Sequence, residues 1–165
     1  MSKLQIAGFD YVQACKLAKK SGVMPIEKPD EALIKVFDSL ADQCLTKVSF
    51  TADDWSLNGF FLYNSEEQED LYNKMSLGLT CPDESNGSCV VGLSTMLFDR
   101  GTPEFFRVVL LHELAHRCGE MEHNETFQIR LNDVMEDFYN SDDYQVHSSR
   151  ADSAGARIRP KSWRI

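Results

Sequence analysis

The 165-residue sequence contains no apolar run of the roughly eighteen residues that a bilayer-crossing helix needs, so no membrane span of that kind is expected. Its first residues, MSKLQIAGFDY, lack a long apolar stretch. No secretory signal is expected there, and the cytoplasm is the expected compartment. The five cysteines (Cys15, Cys44, Cys81, Cys89 and Cys118) are odd in number, widely spaced and without a CxxC, which suits reduced thiols better than a disulfide framework. Cys81 and Cys89 bracket PDESNGS and are placed to bridge or share a metal, yet two sulfurs do not complete a tetrahedral zinc site. Asn86-Gly-Ser and Asn124-Glu-Thr match the glycosylation pattern and, without a secretory signal, are read as chance. No internal repeat occurs.

Positive charge is also scarce. Lysine and arginine number 17 against 26 acidic residues, for a formal net charge of −9. From His147 to Ile165, Arg150, Arg157, Arg159, Lys161 and Arg164 face the single anion Asp152; this tail's +4 leaves −13 on the first 146 residues. An acidic body argues against broad binding of a phosphate backbone. The basic tail, with Trp163 available to stack on a base, leaves nucleic-acid contact open at that end only. The expected organisation is one domain over 1–147 followed by a C-terminal tail over 148–165, extended or ordered only by docking.

What remains is ordinary for a globular protein, 42% hydrophobic and 26% charged. A short helix is expected over 10–20, stopped by Ser21-Gly22. Pro29-Asp30 opens a second, with Leu33, Val36, Phe37, Leu40, Ala41 and Cys44 at helical spacing. KVSF at 47–50 and GFFLYN at 59–64 read as extended, and SEEQEDLYNKMSLGL reads as a helix with an acidic first turn. Residues 81–89 read as a loop, and a strand follows that ends near Ser94. Thr102 is a good N-cap with Pro103 behind it, and EFFRVVLLHELAHRC is apolar on nearly every side, as a core helix is. Gly119 stops it. Asn124 caps a last helix whose apolar face is Phe127, Leu131, Val134, Met135 and Phe138.

Residues 112–127, HELAHRCGEMEHNETF, hold three of the four histidines. His112 and His116 are four apart, so they project from one helical face one turn apart and suit a shared tetrahedral zinc. Glu113 is placed to take a proton from metal-bound water and pass it to a leaving group. Two imidazoles and a carboxylate buried without partners would cost several kcal/mol, and a bound dication offsets that cost. The third ligand stays open between His123, which follows the Gly119 stop, and Glu125. Asp133 and Glu136 are further carboxylates in the same helix.

VGLSTMLFDRGTPEFFRVVLLHELAHRCGEMEHNETF resembles the SprT-like and WLM-type zinc metallopeptidases. The likeness lies in Leu93-Ser94 closing a strand, the apolar helix with His112-Glu113-Leu114-Ala115-His116, and His123-Asn124-Glu125-Thr126-Phe127, within residues 90–138. It implies Zn2+ held by His112, His116 and His123, with Glu113 as catalytic base. It further implies Phe127 under the third ligand and a strand over 90–94 that lines the cleft and pairs with a substrate backbone. The His116–His123 spacing departs from both groups, and no CxxC…CxxC ribbon follows.

The expected fold is α+β, a small zincin-like single domain with a few-stranded sheet packed against a buried active-site helix and flanking helices. The expected function is zinc-dependent hydrolysis of a protein or peptide substrate. The alternatives are a DNA-associated protease that uses the basic tail, and a non-catalytic zinc-binding module. Self-inhibition by the tail is a further arrangement; Cys118, two residues past His116, is expected to point off the zinc face. Tyr139, Tyr144, His147 and the tail arginines are the candidate oxyanion helpers, with none singled out.

Overall fold

Side-chain caps begin every long helix among the described residues. In the computed structural model, which describes residues 4–140, Asp10 accepts from Gln13 N to start α1 (Tyr11–Lys20), and Asp30 accepts from Ala32 N to start α2 (Glu31–Lys47). Thr102 accepts from Phe105 N to start α5 (Pro103–Ala115), with Pro103 at the first turn, and Asn124 accepts from Phe127 N to start α6 (Glu125–Tyr139). Two short helices, α3 (Leu71–Met75) and α4 (Met96–Arg100), complete the set.

The strands form two small sheets. β1 (Gln5–Ile6) and β2 (Phe9–Asp10) make an antiparallel hairpin through Ala7 and Gly8, both at positive φ. The larger sheet has the order β3 (Ser56–Tyr63), β5 (Ser88–Ser94), β4 (Gly78–Asp83), with β3 parallel and β4 antiparallel to β5. α1 packs on β3, while α5 packs on β4 and β5 and against α2 and α6. Phe37 of α2 meets Phe60 of β3 at 5.5 Å and Phe106 of α5 at 5.7 Å, which joins sheet and helices into one apolar core. The architecture is α+β, and no helix among the described residues is long and apolar enough to cross a membrane.

Several expectations are corrected. KVSF is not a strand: Lys47 ends α2, and Ser49 and Phe50 instead serve contacts to α6 and the turn after α5. The helix expected from Ser65 to 79 is broken, because Asn64 and Asp70 each cap a separate short turn and the Gln68 amide bonds the Met24 backbone. Residues 81–89 are not one loop: β4 and β5 form a hairpin around 84–87, with Gly87 at φ 61. Pro82 is tolerated because β4 is an edge strand. In α2, Ile34 lies in the buried face and Val36, at 45%, is exposed. The last turn of the HELAH helix tightens to a 3-10 turn over His116–Cys118 before Gly119 at φ 97. The basic tail over 148–165 lies outside the described residues.

Candidate metal centre

α5 is buried from Val108 to Ala115, so His112, Glu113 and His116 sit in the core at 5%, 3% and 3% exposure. Gly119, in the left-handed region, turns the chain back. That reversal carries His123 to the mouth of α6. His112 Nε2 and His123 Nε2 are 3.1 Å apart, and one ring nitrogen from each of His112, His116 and His123 lies within 4.8 Å of the others. Zinc bound to imidazoles at about 2.0–2.1 Å in tetrahedral geometry spaces its nitrogens by roughly 3.3 Å, so the His112–His123 pair is already near that spacing and the wider pairs would close by at most about 1.5 Å.

The rest of the site orients those rings. His116 Nδ1 lies 2.7 Å from the Glu120 carbonyl, which as an acceptor places the proton on Nδ1 and leaves Nε2 as the donor atom. Phe127 stacks on His116 at 4.2 Å and 27°, and its ring is 4.8 Å from His112 and 5.1 Å from His123. It therefore floors all three histidines rather than the third alone. Burial lowers His116 to about 4, with the Glu120 carbonyl pulling the other way and His123 adding to the drop. Burial also lowers His123. Neutral imidazoles are the form a metal takes up.

Glu113, next to His112 on α5, is not one of the three gathered donors. Burial raises its carboxyl to about 8, against a lowering by the Thr80 hydroxyl. Thr80 Oγ1 lies 2.9 Å from Glu113 Oε1 and 2.9 Å from the Glu113 carbonyl. The second neighbour is Gly78, where an added Cβ would come within 2.8 Å of Glu113 Cγ.

The gathered donors are His112, His116 and His123, and Glu125 is not among them. Glu125, Asp133 and Glu136 are exposed on α6. Tyr139 ends α6 within the core, roughly 20 Å along the helix from its start at 1.5 Å per residue, too far to steady an oxyanion at this site. Tyr144, His147 and the tail arginines lie outside the described residues. The strand over 90–94 does not offer an edge, because β5 is central and paired on both sides. The strand beside Glu113 is β4, whose outer edge no other strand pairs among the described residues. Cys81 and Cys89 are free. Cys81 pairs in register with Val90, so strand alternation turns Cys89 to the opposite face.

One part of the surroundings had no counterpart in the sequence reading. Trp55 N donates to the Arg117 carbonyl at 2.7 Å, and Arg117 Nε donates to the Trp55 carbonyl at 2.8 Å. The Arg117 guanidinium lies 4.2 Å from the centre of the Phe50 ring, and Arg130 bonds Asp54 at 2.8 Å. The 49–55 segment thus ties the turn after His116 to α6. Nothing local marks such a brace, whereas the Asn86-Gly87 pair is a hairpin signal from which β4 could have been read.

Comparison of the chain with family models, with curated proteins and with solved structures finds no match in any of the three.

Proposed function

We propose that this protein is a zinc-dependent peptidase, with His112, His116 and His123 as ligands and Glu113 as general base. The observation that carries the reading is the convergence of three imidazoles beside a buried carboxylate that is not one of the donors. When bound, zinc would supply an acidified water and polarise a scissile carbonyl. The chain's own residues do the rest. His116 is held in one tautomer by the Glu120 carbonyl, Phe127 packs against the three rings, and Glu113 takes up a proton and returns it to the leaving amine. The outer edge of β4, next to Glu113, is where an extended substrate would add by main-chain pairing.

A closed structural zinc site takes four protein ligands, and the described residues gather three. That favours an open position and hydrolysis over a purely structural metal. Metal analysis of the purified protein, followed by peptide hydrolysis assays of the wild type and Glu113→Gln, tests the proposal. About one zinc per chain and activity lost in a variant that keeps its zinc are expected. Full activity in Glu113→Gln would remove Glu113 from the mechanism.

A further inference from the structure

We infer that Gly78 and Thr80 of β4 are positioning residues for the Glu113 carboxylate. They stand two apart on one strand, so they share a face, and that face meets Glu113 of α5. The Thr80 hydroxyl lies 2.9 Å from both the carbonyl and Oε1 of Glu113. It therefore gauges the end of the side chain against the backbone of the same residue. A free glutamate side chain spreads over several rotamers, and fixing it costs entropy that the folded strand supplies in advance.

Gly78 completes the clasp from the other side. A Cβ there would fall 2.8 Å from Glu113 Cγ, 3.1 Å from Oε2 and 3.1 Å from Val109 Cγ1. Gly78 is not among the glycines at positive φ, so backbone conformation does not call for it. A glycine inside a strand weakens the strand, and close approach of another group is the usual compensation. Here the approaching group is the proposed base. Thr80 has a structural use in satisfying the helix carbonyl, but that use does not require the carboxylate to lie within reach as well.

The catalytic consequence rests on the peptidase reading, whereas the placement of the carboxylate does not. The test therefore has two readouts, on Thr80→Val, Thr80→Ser and Gly78→Ala. Crystal structures report where the carboxylate lies. Steady-state hydrolysis of a fluorogenic peptide and zinc competition with a chromophoric chelator report what its position does. In Thr80→Val the carboxylate is expected to leave its wild-type place and kcat to fall about 10- to 100-fold, with KM and zinc affinity unchanged. Thr80→Ser is expected to restore both. A carboxylate left in place in Thr80→Val, or a Thr80→Ser variant as impaired as Thr80→Val, overturns the inference. If Thr80→Val does not fold, Gly78→Ala decides: a displaced carboxylate supports the clasp and an unmoved one overturns it. Wild-type protein that binds no zinc and cleaves no peptide would sink the peptidase reading, and the crystal readout would still decide the clasp.

Discussion

The ring of Phe127 stacks on His116 at 4.2 Å while its own backbone N–H is held by the Asn124 cap at 3.0 Å. The start of α6 is thereby locked to the histidine that ends α5. Truncation to Phe127→Ala opens a cavity beneath three imidazoles and is expected to cost about 3–5 kcal/mol of stability. Zinc affinity should fall with it, because the rings lose their common floor. Urea unfolding of the metal-free protein and chelator competition for zinc measure the two effects. Stability and affinity both unchanged would deny Phe127 this role.

Glu125 opens α6 two residues after His123 but lies outside the group of converging donors. His123→Ala is expected to weaken zinc binding at least 100-fold, more than loss of an outer-shell partner does. Glu125→Gln should bind zinc as the wild type does. The reverse pattern in isothermal titration would reassign the third ligand.

The histidine spacing was legible because it depends on one helix and the stop after it. His112, Glu113 and His116 were placed by helical period, and Gly119 signalled the reversal that brings back His123. The surroundings of Glu113 were not legible. The contact with Thr80 spans 33 positions and depends on how β4 packs on α5, which no local pattern encodes. Reading 65–79 as one helix and 81–89 as a loop together hid β4, because the acidic residues after Ser65 suit a helical first turn, while the burial of Ser65, Gln68 and Ser76 is a tertiary choice. The 49–55 brace was hidden for the same reason, since its partners lie in α6 and beyond α5.

That brace can be tested by itself. Asp54 and Arg130 form an ion pair at 2.8 Å with side-chain exposures of 4% and 15%. Removing one partner strands the other in a largely dry site and is expected to cost about 3 kcal/mol. The double variant Asp54→Ala/Arg130→Ala should lose clearly less than the sum of the two single losses. Additive losses in a denaturant-unfolding cycle would mean that the pair is not coupled.

Cys81 and Cys89 occupy adjacent strands but face opposite sides of the sheet, and burial pushes both thiols up to about 12. The thiolate is the reactive form, so both are expected to resist oxidation in the folded protein. Mass spectrometry after treatment of native protein with oxidised glutathione should show no Cys81–Cys89 disulfide. A stoichiometric bridge formed without unfolding would contradict the strand register.

The metal-free protein should show a particular dependence of stability on pH, because two buried groups at the site are shifted in opposite senses. Glu113 rises from 4.5 to about 8 and His116 falls from 6.5 to about 4. Between about pH 4.5 and 6.5 the unfolded chain carries its proton on His116 and the folded protein carries one on Glu113. The counts match, and these two groups leave stability nearly level. From about 6.5 to 8 only folded Glu113 still holds a proton, so stability falls as pH rises, by about 2 kcal/mol over that span. Below about 4.5 the unfolded chain takes the extra proton, and stability falls as pH drops. His123, lowered as well, adds a loss of its own as pH drops below 6.5. Glu113→Gln should abolish the fall between 6.5 and 8 and reveal the histidine contribution as a rise in stability from pH 4 to 6.5. Urea titrations of chelator-treated protein at four or five pH values read this directly, and an unchanged slope in Glu113→Gln would show that Glu113 is not the group titrating there.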